Sequence, residues 1–539
     1  MSIDFSRWFI LTCFVIEQEL LLGRLESVKT NYHRDFRCMD GTREFLLNQV
    51  VVWGTKELAQ GESNVYWIYG SPGIGKTSLA HSIAAILHEG NHLAGAFFCR
   101  RDDGSLNEPR NILPTLIHKL AIIFPPFRRV VAERLRNDPN LSSGSMKHTL
   151  LLELIRKLPR PPKRPLIFVI DAFDECGNPQ SRPGILRALT NAAAHAPWLK
   201  LVITSRPEVD IHNVFERLVR SSYERYDVAA DAEAASDLRI FAQIRFTNVA
   251  AKRRLPSPWP EPSLFDLAIS RAAGLFVFIE TIARGLERCE DHPTQHLRTT
   301  LEDSVATGLT SLYGLYLSTL KTQILHNTAE FRRMMGVLLA ATPHRPLCEE
   351  TIAALAGVRL DLVEMWVVDL GSLLYRDEAA NGGIRVRHLS ISDFFLSDDC
   401  HGDYHVDLRR ANVDLGIACL RTMVKQLHFN ICKLEDSRLA NAAVDDLQLR
   451  IKENISDPLQ YSSVYWSYHV CCYDATGDWE SLRRFFEGPY ALFWIEVLSL
   501  MGIVSIGVPS LRRVKLVVVK VSRAPACHLF ELKSETNLV

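Results

Sequence analysis

The sequence predicts an α/β protein in which helices cover both faces of a parallel sheet, followed by helical, winged-helix and further all-helical domains. Three apolar runs, Val65–Tyr69, Leu166–Ile170 and Leu199–Thr204, have the length of strands. Because the runs are almost continuously apolar, we expect strands that are buried on both faces, as in a parallel sheet. Helical segments separate the runs, which is the alternation of an α/β domain. From residue 231 onward the pattern becomes helical.

Length, charge and cysteine content set the general class. The 539 residues exceed what one hydrophobic core accommodates, so we expect several domains. Lys and Arg number 62, as do Asp and Glu, and the net charge is zero. A neutral chain has no general attraction for nucleic acid or anionic membrane, and we expect neither as a partner. The 12 cysteines lack metal-binding spacing, which indicates reduced thiols in a cytoplasmic protein.

Two hydrophobic stretches bear on membrane association. Trp8–Ile16 lacks the small-residue cleavage site of a signal peptide, and we expect it to belong to a helical segment over residues 1–35. Ala491–Val508 approaches the roughly 20 apolar residues of a membrane span. Because Glu496 and two serines interrupt it, we expect a buried helix.

A glycine-rich loop follows the first apolar run and precedes a helical segment. It comprises Gly70, Ser71, Pro72, Gly73, Ile74, Gly75, Lys76 and Thr77, and Ser78 continues into the helix. Glycines let backbone N–H groups surround a phosphate chain, and a helix N-terminus adds partial positive charge. Lys76 is expected to reach the β- and γ-phosphates, and Thr77 to bind Mg²⁺. Strand, loop, Lys-Thr and helix together form the Walker A pattern of a P-loop NTPase.

Three carboxylates follow the second apolar run. They are Asp171, Asp174 and Glu175. In isolation such a cluster is more often surface charge, but an apolar strand downstream of a Walker A loop favours a Walker B site. We expect Asp171 to hold Mg²⁺ and either Asp174 or Glu175 to orient an attacking water.

Arg206 follows the third apolar run. Ligands of parallel α/β sheets bind at the carboxyl ends of the strands, so this side chain is expected beside the phosphate loop and the carboxylates. An arginine there can contact the γ-phosphate and stabilise the charge that develops in phosphoryl transfer.

The chain divides into six predicted regions. Gly274 separates two helices in the third region, and three helices with a hairpin suggest a winged helix in the fourth. In order, the regions are an N-terminal helical segment (1–35), the P-loop core (36–230), a helical domain (231–329), a winged-helix domain (330–410), a helical C-terminal domain (411–510) and a tail without predicted structure (511–539).

Six motifs occur in order along the chain and together carry a family resemblance. They are Cys38-Met39-Asp40-Gly41-Thr42-Arg43-Glu44, Gly70–Thr77, Ile170–Glu175, Thr204–Pro207, Gly274–Val277 and His388–Phe395. With them the chain resembles fungal NACHT-domain STAND P-loop NTPases, the NOD-like receptor type with a nephrocystin-like N-terminal domain.

The resemblance implies a switch that is closed with ADP and open with ATP. It implies that Gly41, Thr42 and Arg43 lie near the adenine and that Gly274 closes over the nucleotide, although the family's proline after that glycine is absent. It also implies that His388, in the winged helix, contacts the β-phosphate of ADP. Family members usually carry a C-terminal repeat array, and none is visible in this sequence.

The resulting hypothesis is an ATP/ADP-binding signalling switch with slow Mg²⁺-dependent hydrolysis. Protein partners or a nucleotide-dependent homo-oligomer are implied, and a nucleotide-binding scaffold without significant hydrolysis stays open as the alternative. A GTPase is disfavoured because the chain has no Asn-Lys pair for guanine. A DNA-binding winged helix is disfavoured because its third helix carries Asp361, Glu364 and Asp369, which repel phosphates.

Overall fold

The computed structural model describes most of the chain, in two compact units. The described residues are 17–25, 27–30, 32–58, 62–138, 149–218, 223–231, 233–289, 292–302, 306–324, 326–400, 402–436, 440–472 and 479–522. The first unit contains the residues up to Leu315 together with His388–Ser390. The second contains Tyr316–Arg387 and the residues from Ile391 onward.

The first unit is built on a five-stranded parallel sheet with the strand order β2-β3-β4-β1-β5. The strands are β1 (Val65–Tyr69), β2 (Leu93–Phe98), β3 (Leu166–Asp171), β4 (Leu199–Ser205) and β5 (Glu224–Asp227). Tyr69 pairs with Ser205, and Ile170 pairs with Ile203. Because β4 lies between β1 and β3, the residue that follows β4 lies between the phosphate loop and the acidic strand end.

Side chains alternate between the two faces of the sheet, and each face has its own core. Trp67 and Phe168 belong to one buried cluster, whereas Tyr66 and Ile68 belong to the other. The first cluster also contains residues of the helices Ile112–Ile123, Pro125–Asn137, Leu150–Arg156, Arg182–Ala194 and Val209–Glu216. The second contains residues of the helices Glu44–Thr55 and Lys76–Glu89. The predicted fold class, a parallel sheet with helices on both faces, is confirmed.

Helices follow β5. They are Ala234–Arg253, Pro262–Ala272, Phe276–Arg288, Pro293–Glu302 and Gly308–Gln323, and the division between the units falls within the last of them. The expected helix pair on either side of Gly274 is present. At the N-terminus, the described part of the segment predicted as one helix over residues 1–35 is helical only over 17–23 and 34–36.

The second unit contains helices and one antiparallel hairpin. The hairpin strands are β6 (Leu374–Asp377) and β7 (Gly383–Val386). The helices are Thr328–Ala341, Glu349–Ala356, Leu360–Asp369, Leu408–Gln426, Leu447–Asn454, Asp457–Val470, Trp479–Glu487, Tyr490–Leu500 and Gly507–Ser522, and the helix Leu389–Phe395 belongs to this unit from Ile391 onward. Residues 511–522 of the tail, for which the sequence predicts no structure, are thus helical.

The two hydrophobic stretches are only partly described. Trp8–Ile16 lies outside the described residues. Ala491–Val508 forms most of the helix Tyr490–Leu500, a turn and the start of the next helix, with Trp494 and Val497 buried. In the described part of the chain, the helices are too short or too polar to cross a membrane.

Candidate nucleotide-binding site

The glycine-rich loop connects β1 to the helix Lys76–Glu89. Gly73 and Gly75 have φ angles of 81° and 95°, which only glycine adopts without strain. A Cβ on Gly73 would lie 2.3 Å from Cγ1 of Val277. The backbone N–H of Val277 donates to the Gly73 carbonyl at 3.2 Å. The start of the helix Phe276–Arg288 therefore lies directly against the loop, where a side chain on Gly73 would collide with it.

The Lys76 side chain folds over the loop that precedes it. Its Nζ donates to the carbonyl oxygens of Gly70 at 2.8 Å and Ser71 at 2.9 Å. Burial lowers the pKa of Lys76 to about 8, while the nearby Asp174 carboxylate acts in the opposite direction. A phosphate at the loop would compete with these two carbonyls for the ammonium group and would favour its charged form.

Asp171 at the end of β3 is buried and hydrogen-bonded on both sides. Thr204 Oγ1 donates to its Oδ1 at 2.5 Å, and the Thr77 hydroxyl is also hydrogen-bonded to this carboxylate. Burial raises the pKa of Asp171 to about 6, although both hydrogen bonds and Lys76 oppose the shift. A hydroxyl in contact with a carboxylate provides the oxygen ligands that Mg²⁺ takes beside a phosphate. Thr77 and Asp171 therefore fit the ion that the loop implies.

Asp174, one of the two carboxylates expected to orient an attacking water, pairs with Arg206. Its Oδ1 accepts the backbone N–H of Arg206 at 2.9 Å, and its Oδ2 lies 3.3 Å from Arg206 Nε. The Asp174 carboxylate is buried, and Arg182 donates to its backbone carbonyl. Asp174 thus fixes the arginine that follows β4, and both of its carboxylate oxygens are used in doing so.

Glu175 is the carboxylate of this cluster that suits acid–base chemistry. The chain turns between Asp171 and Asp174 through Ala172, a non-glycine residue with a φ of 51°. This turn leads to the half-buried Glu175 side chain, whose Oε2 accepts the Arg101 backbone N–H at 3.3 Å. Burial, followed by repulsion from Asp174, raises the pKa of Glu175 to about 8. A raised carboxylate pKa in a phosphate site is typical of acid–base groups.

His388 and Ser390 group with the first unit, and the imidazole lies beside the phosphate loop. A methyl group placed on Gly73 would be 3.8 Å from Cε1 of His388. The His388 Nδ1 accepts the Ser390 backbone N–H at 3.1 Å and lies 2.7 Å from its hydroxyl, so the ring proton resides on Nε2. Burial lowers the pKa of His388 to about 4, with the charges of Lys76 and Arg206 adding to the shift. The ring is therefore a neutral N–H donor.

Among the residues expected near the adenine, Arg43 contacts the phosphate loop. Thr42 donates its hydroxyl to the Met39 carbonyl at 2.6 Å and is buried. Gly41 and Gly274 have positive φ angles, and a Cβ on Gly274 would meet no atom within 4 Å. Arg43 is buried against Asp231 and donates to the carbonyl of Ile74 in the loop. Its guanidinium is thus engaged within the protein.

Sequence reasoning missed several residues that shape this site. Thr204 was quoted only as part of a motif, although its hydroxyl joins Asp171 to the backbone N–H of Ala172. Val277 likewise occurs only as the last residue of a motif, and the sequence analysis assigns no role to Asp231. A Thr at the end of an apolar strand is a sequence signal that could have identified Thr204. The contacts of Val277 with Gly73 and of Asp231 with Arg43 join residues that are distant in sequence, and no local pattern indicates them.

Comparison with known proteins supports the assignment of the loop. The family described as "Nephrocystin 3, N-terminal" matches residues 41–206, from the turn before the helix Glu44–Thr55 to the arginine after β4. None of the curated proteins matches the chain.

Solved structures are similar at low identity. The Walker-type ATPase PABY2304 of Pyrococcus abyssi is 13% identical with a TM-score of 0.32, and the similarity covers 69% of this chain and 99% of that one. Drosophila ORC bound to DNA is 14% identical with a TM-score of 0.30, covering 70% and 90%. The Aeropyrum pernix ORC1 protein in complex with DNA is 15% identical with a TM-score of 0.29, covering 66% and 92%.

The expectation that nucleic acid is not a partner was deduced from the net charge of zero, and this deduction is wrong. Two of these neighbours, distant as they are, were solved with DNA bound. Net charge averages over the whole chain, whereas a nucleic-acid site needs only a local basic surface. A neutral sequence of this fold class therefore leaves that partner class open.

The geometry of the site and the match to the family model both indicate a P-loop nucleotide site. The loop, the Thr77–Asp171 contact and the arginine after β4 occupy the carboxyl ends of three adjacent strands. Residues 41–206, which match the family described as "Nephrocystin 3, N-terminal", thus carry the strand-end arrangement of a P-loop nucleotide site.

Proposed function

We propose that the chain is an ATP/ADP-binding switch of the NACHT-type STAND class, with slow Mg²⁺-dependent ATP hydrolysis, in fungal NOD-like receptor signalling. The observation that carries the proposal is the neutral His388 imidazole beside Gly73. An N–H donor at the phosphate loop suits recognition of a bound diphosphate. Because three helices and a hairpin precede this histidine in the chain, we propose that they form the winged helix of such a switch.

The roles of the other residues follow from their positions. Lys76 and the loop N–H groups from Gly70 to Ser78 bind the phosphates, and Thr77 with Asp171 holds Mg²⁺. Arg206 stabilises negative charge at the phosphate chain, where Asp174 positions it. Gly41, Thr42 and Gly274 form the base side of the site. We propose a cytoplasmic location, because the spacing of the cysteines in the sequence indicates reduced thiols.

The carboxylates support slow rather than rapid hydrolysis. With a pKa of about 8, Glu175 is mostly protonated near neutral pH and cannot readily accept a proton from water. Asp174 is ionically paired with Arg206 and is not an alternative base. The same observation favours the second candidate, a nucleotide-binding scaffold without significant hydrolysis.

The deciding experiment is mass analysis of the nucleotide that copurifies with the full chain, together with its ATP turnover. We expect bound ADP and slow turnover in the unchanged chain, and no bound nucleotide in Lys76→Ala. His388→Ala should release ADP about fivefold to tenfold faster, because it removes one neutral hydrogen-bond donor. The exposed His428→Ala serves as the matched control.

Two outcomes would contradict parts of the proposal. An unchanged rate of ADP release in His388→Ala would refute the proposed contact between His388 and ADP. Bound ATP without any turnover would favour the nucleotide-binding scaffold. If the unchanged chain bound no nucleotide at all, the switch itself would be excluded.

A further inference from the structure

The Arg43 side chain is a buried cation that joins the phosphate loop to three other segments. Its Nη1 lies 3.0 Å from Asp231 Oδ2, and its Nε lies 3.8 Å from Asp237 Oδ2. Its Nη2 donates to the Ile74 carbonyl at 3.1 Å, and its guanidinium carbon lies 5.2 Å from the centre of the Phe276 ring. The Arg43 side chain is only 3% exposed, and buried charges are retained where they are paired and hydrogen-bonded.

Each contact comes from a different part of the first unit. Arg43 precedes the helix Glu44–Thr55, and Ile74 belongs to the phosphate loop. Asp231 follows β5, and Asp237 lies in the first turn of the helix Ala234–Arg253. Phe276 begins the helix Phe276–Arg288, next to the residue whose N–H donates to the Gly73 carbonyl. Two consecutive carbonyls of the loop are therefore held from outside the loop.

Holding these carbonyls has a consequence for phosphate binding. In a planar trans peptide the C=O and the following N–H point in opposite directions. When the Ile74 carbonyl is directed to Arg43, the N–H of Gly75 is directed to the other side of the loop. The same holds for the Gly73 carbonyl and the N–H of Ile74. Backbone N–H groups with a fixed direction are what a phosphate loop offers its ligand.

We propose that Arg43 is a positioning residue that orients the Ile74–Gly75 peptide toward the phosphates and makes this orientation depend on Asp231 and Asp237. The proposal rests on the nucleotide-binding function proposed above. It differs from the base contact that the family resemblance implies for Arg43, because both terminal nitrogens of the guanidinium are hydrogen-bonded to protein groups, Asp231 and the Ile74 carbonyl. The Asp231 and Asp237 carboxylates connect loop geometry to the helix Ala234–Arg253.

The test separates a phosphate effect from a base effect by comparing ADP, GDP and inorganic pyrophosphate as ligands of the full chain. In Arg43→Gln, we expect the affinity for all three to fall by a similar factor of about ten, which corresponds to about 1.4 kcal/mol. The ratio of ADP to GDP affinity should stay unchanged. A base contact would instead reduce this ratio and leave pyrophosphate binding unaltered, and that result would overturn the proposal.

Two further variants keep the test independent of folding. Asp231→Asn keeps the shape of the side chain that pairs with Arg43 and should lower the affinity for all three ligands by the same factor. Combined with Arg43→Gln, it should lower these affinities little further. Arg245→Gln is the matched control, because Arg245 joins the helices Ala234–Arg253 and Phe276–Arg288 through Glu280 without touching the loop. It should leave the three affinities unchanged, and equal losses in this control would show a general loosening that contradicts the proposal. Failure of the unchanged chain to bind ADP would refute the proposed function instead.

Discussion

The rate of ATP hydrolysis should rise with pH, because Glu175 has to be ionised to accept a proton from the attacking water. Burial raises the pKa of Glu175 to about 8, and the neighbouring Asp174 adds to the shift. A group with this pKa is about one-eleventh ionised at pH 7 and about ten-elevenths ionised at pH 9, so the rate of the bound complex should increase about tenfold. The rate rises with pH because only the deprotonated Glu175 carboxylate can act as the base.

Single-turnover hydrolysis of saturating Mg·ATP between pH 6.5 and 9.5 measures this profile. Saturation is needed because the pKa of Lys76 is also lowered, to about 8, and loss of its charge weakens phosphate binding in the same range. Glu175→Gln cannot be ionised and should give a low rate that does not change with pH. Glu153→Gln removes an exposed carboxylate and should leave the profile intact.

The profile can refute the assignment of the base. A rate that stays constant between pH 7 and pH 9 in the unchanged chain would show that Glu175 does not titrate in the bound complex. An identical rise in Glu175→Gln would assign the titration to another group.

Three further substitutions test the packing of the site. Asp174→Asn should lower the free energy of unfolding in urea by about 2 kcal/mol because Arg206 loses its charged acceptor, and an unchanged midpoint would contradict this role. Gly73→Ala should weaken ADP binding about fivefold or more through strain of about 1–3 kcal/mol, and adding Val277→Ala should recover part of the lost affinity; no recovery would refute the steric argument. Thr204→Val should lower the free energy of unfolding by about 1 kcal/mol, measured in the same way, whereas an unchanged value would mean that its hydroxyl contributes nothing.

Local sequence patterns were sufficient to predict the phosphate loop and the order in which functional residues follow the strands. The glycines, Lys76 and Thr77 are adjacent in sequence, and a phosphate loop needs little else to be identified. Asp171 and Arg206 follow apolar runs directly, so that a parallel sheet brings them to one edge. Local chemistry and topology together were enough to predict these positions.

Contacts between distant residues could not be predicted in the same way. The strand β5 has the sequence Glu-Arg-Tyr-Asp and lacks an apolar run, because it lies at the edge of the sheet. The pairing of Asp174 with Arg206 depends on β4 lying beside β3. The engagement of Arg43 by Asp231 likewise joins residues that only the folded chain brings together.

The placement of His388 makes the first unit discontinuous in sequence. Residues up to Leu315 contain both Walker motifs, but the imidazole near Gly73 comes from His388–Ser390. A messenger that ended between these positions would encode every Walker residue and omit that N–H donor. The role proposed for His388 therefore predicts that nucleotide retention depends on how far translation proceeds, and a gene survey based on Walker motifs alone would count such shortened products as equivalent.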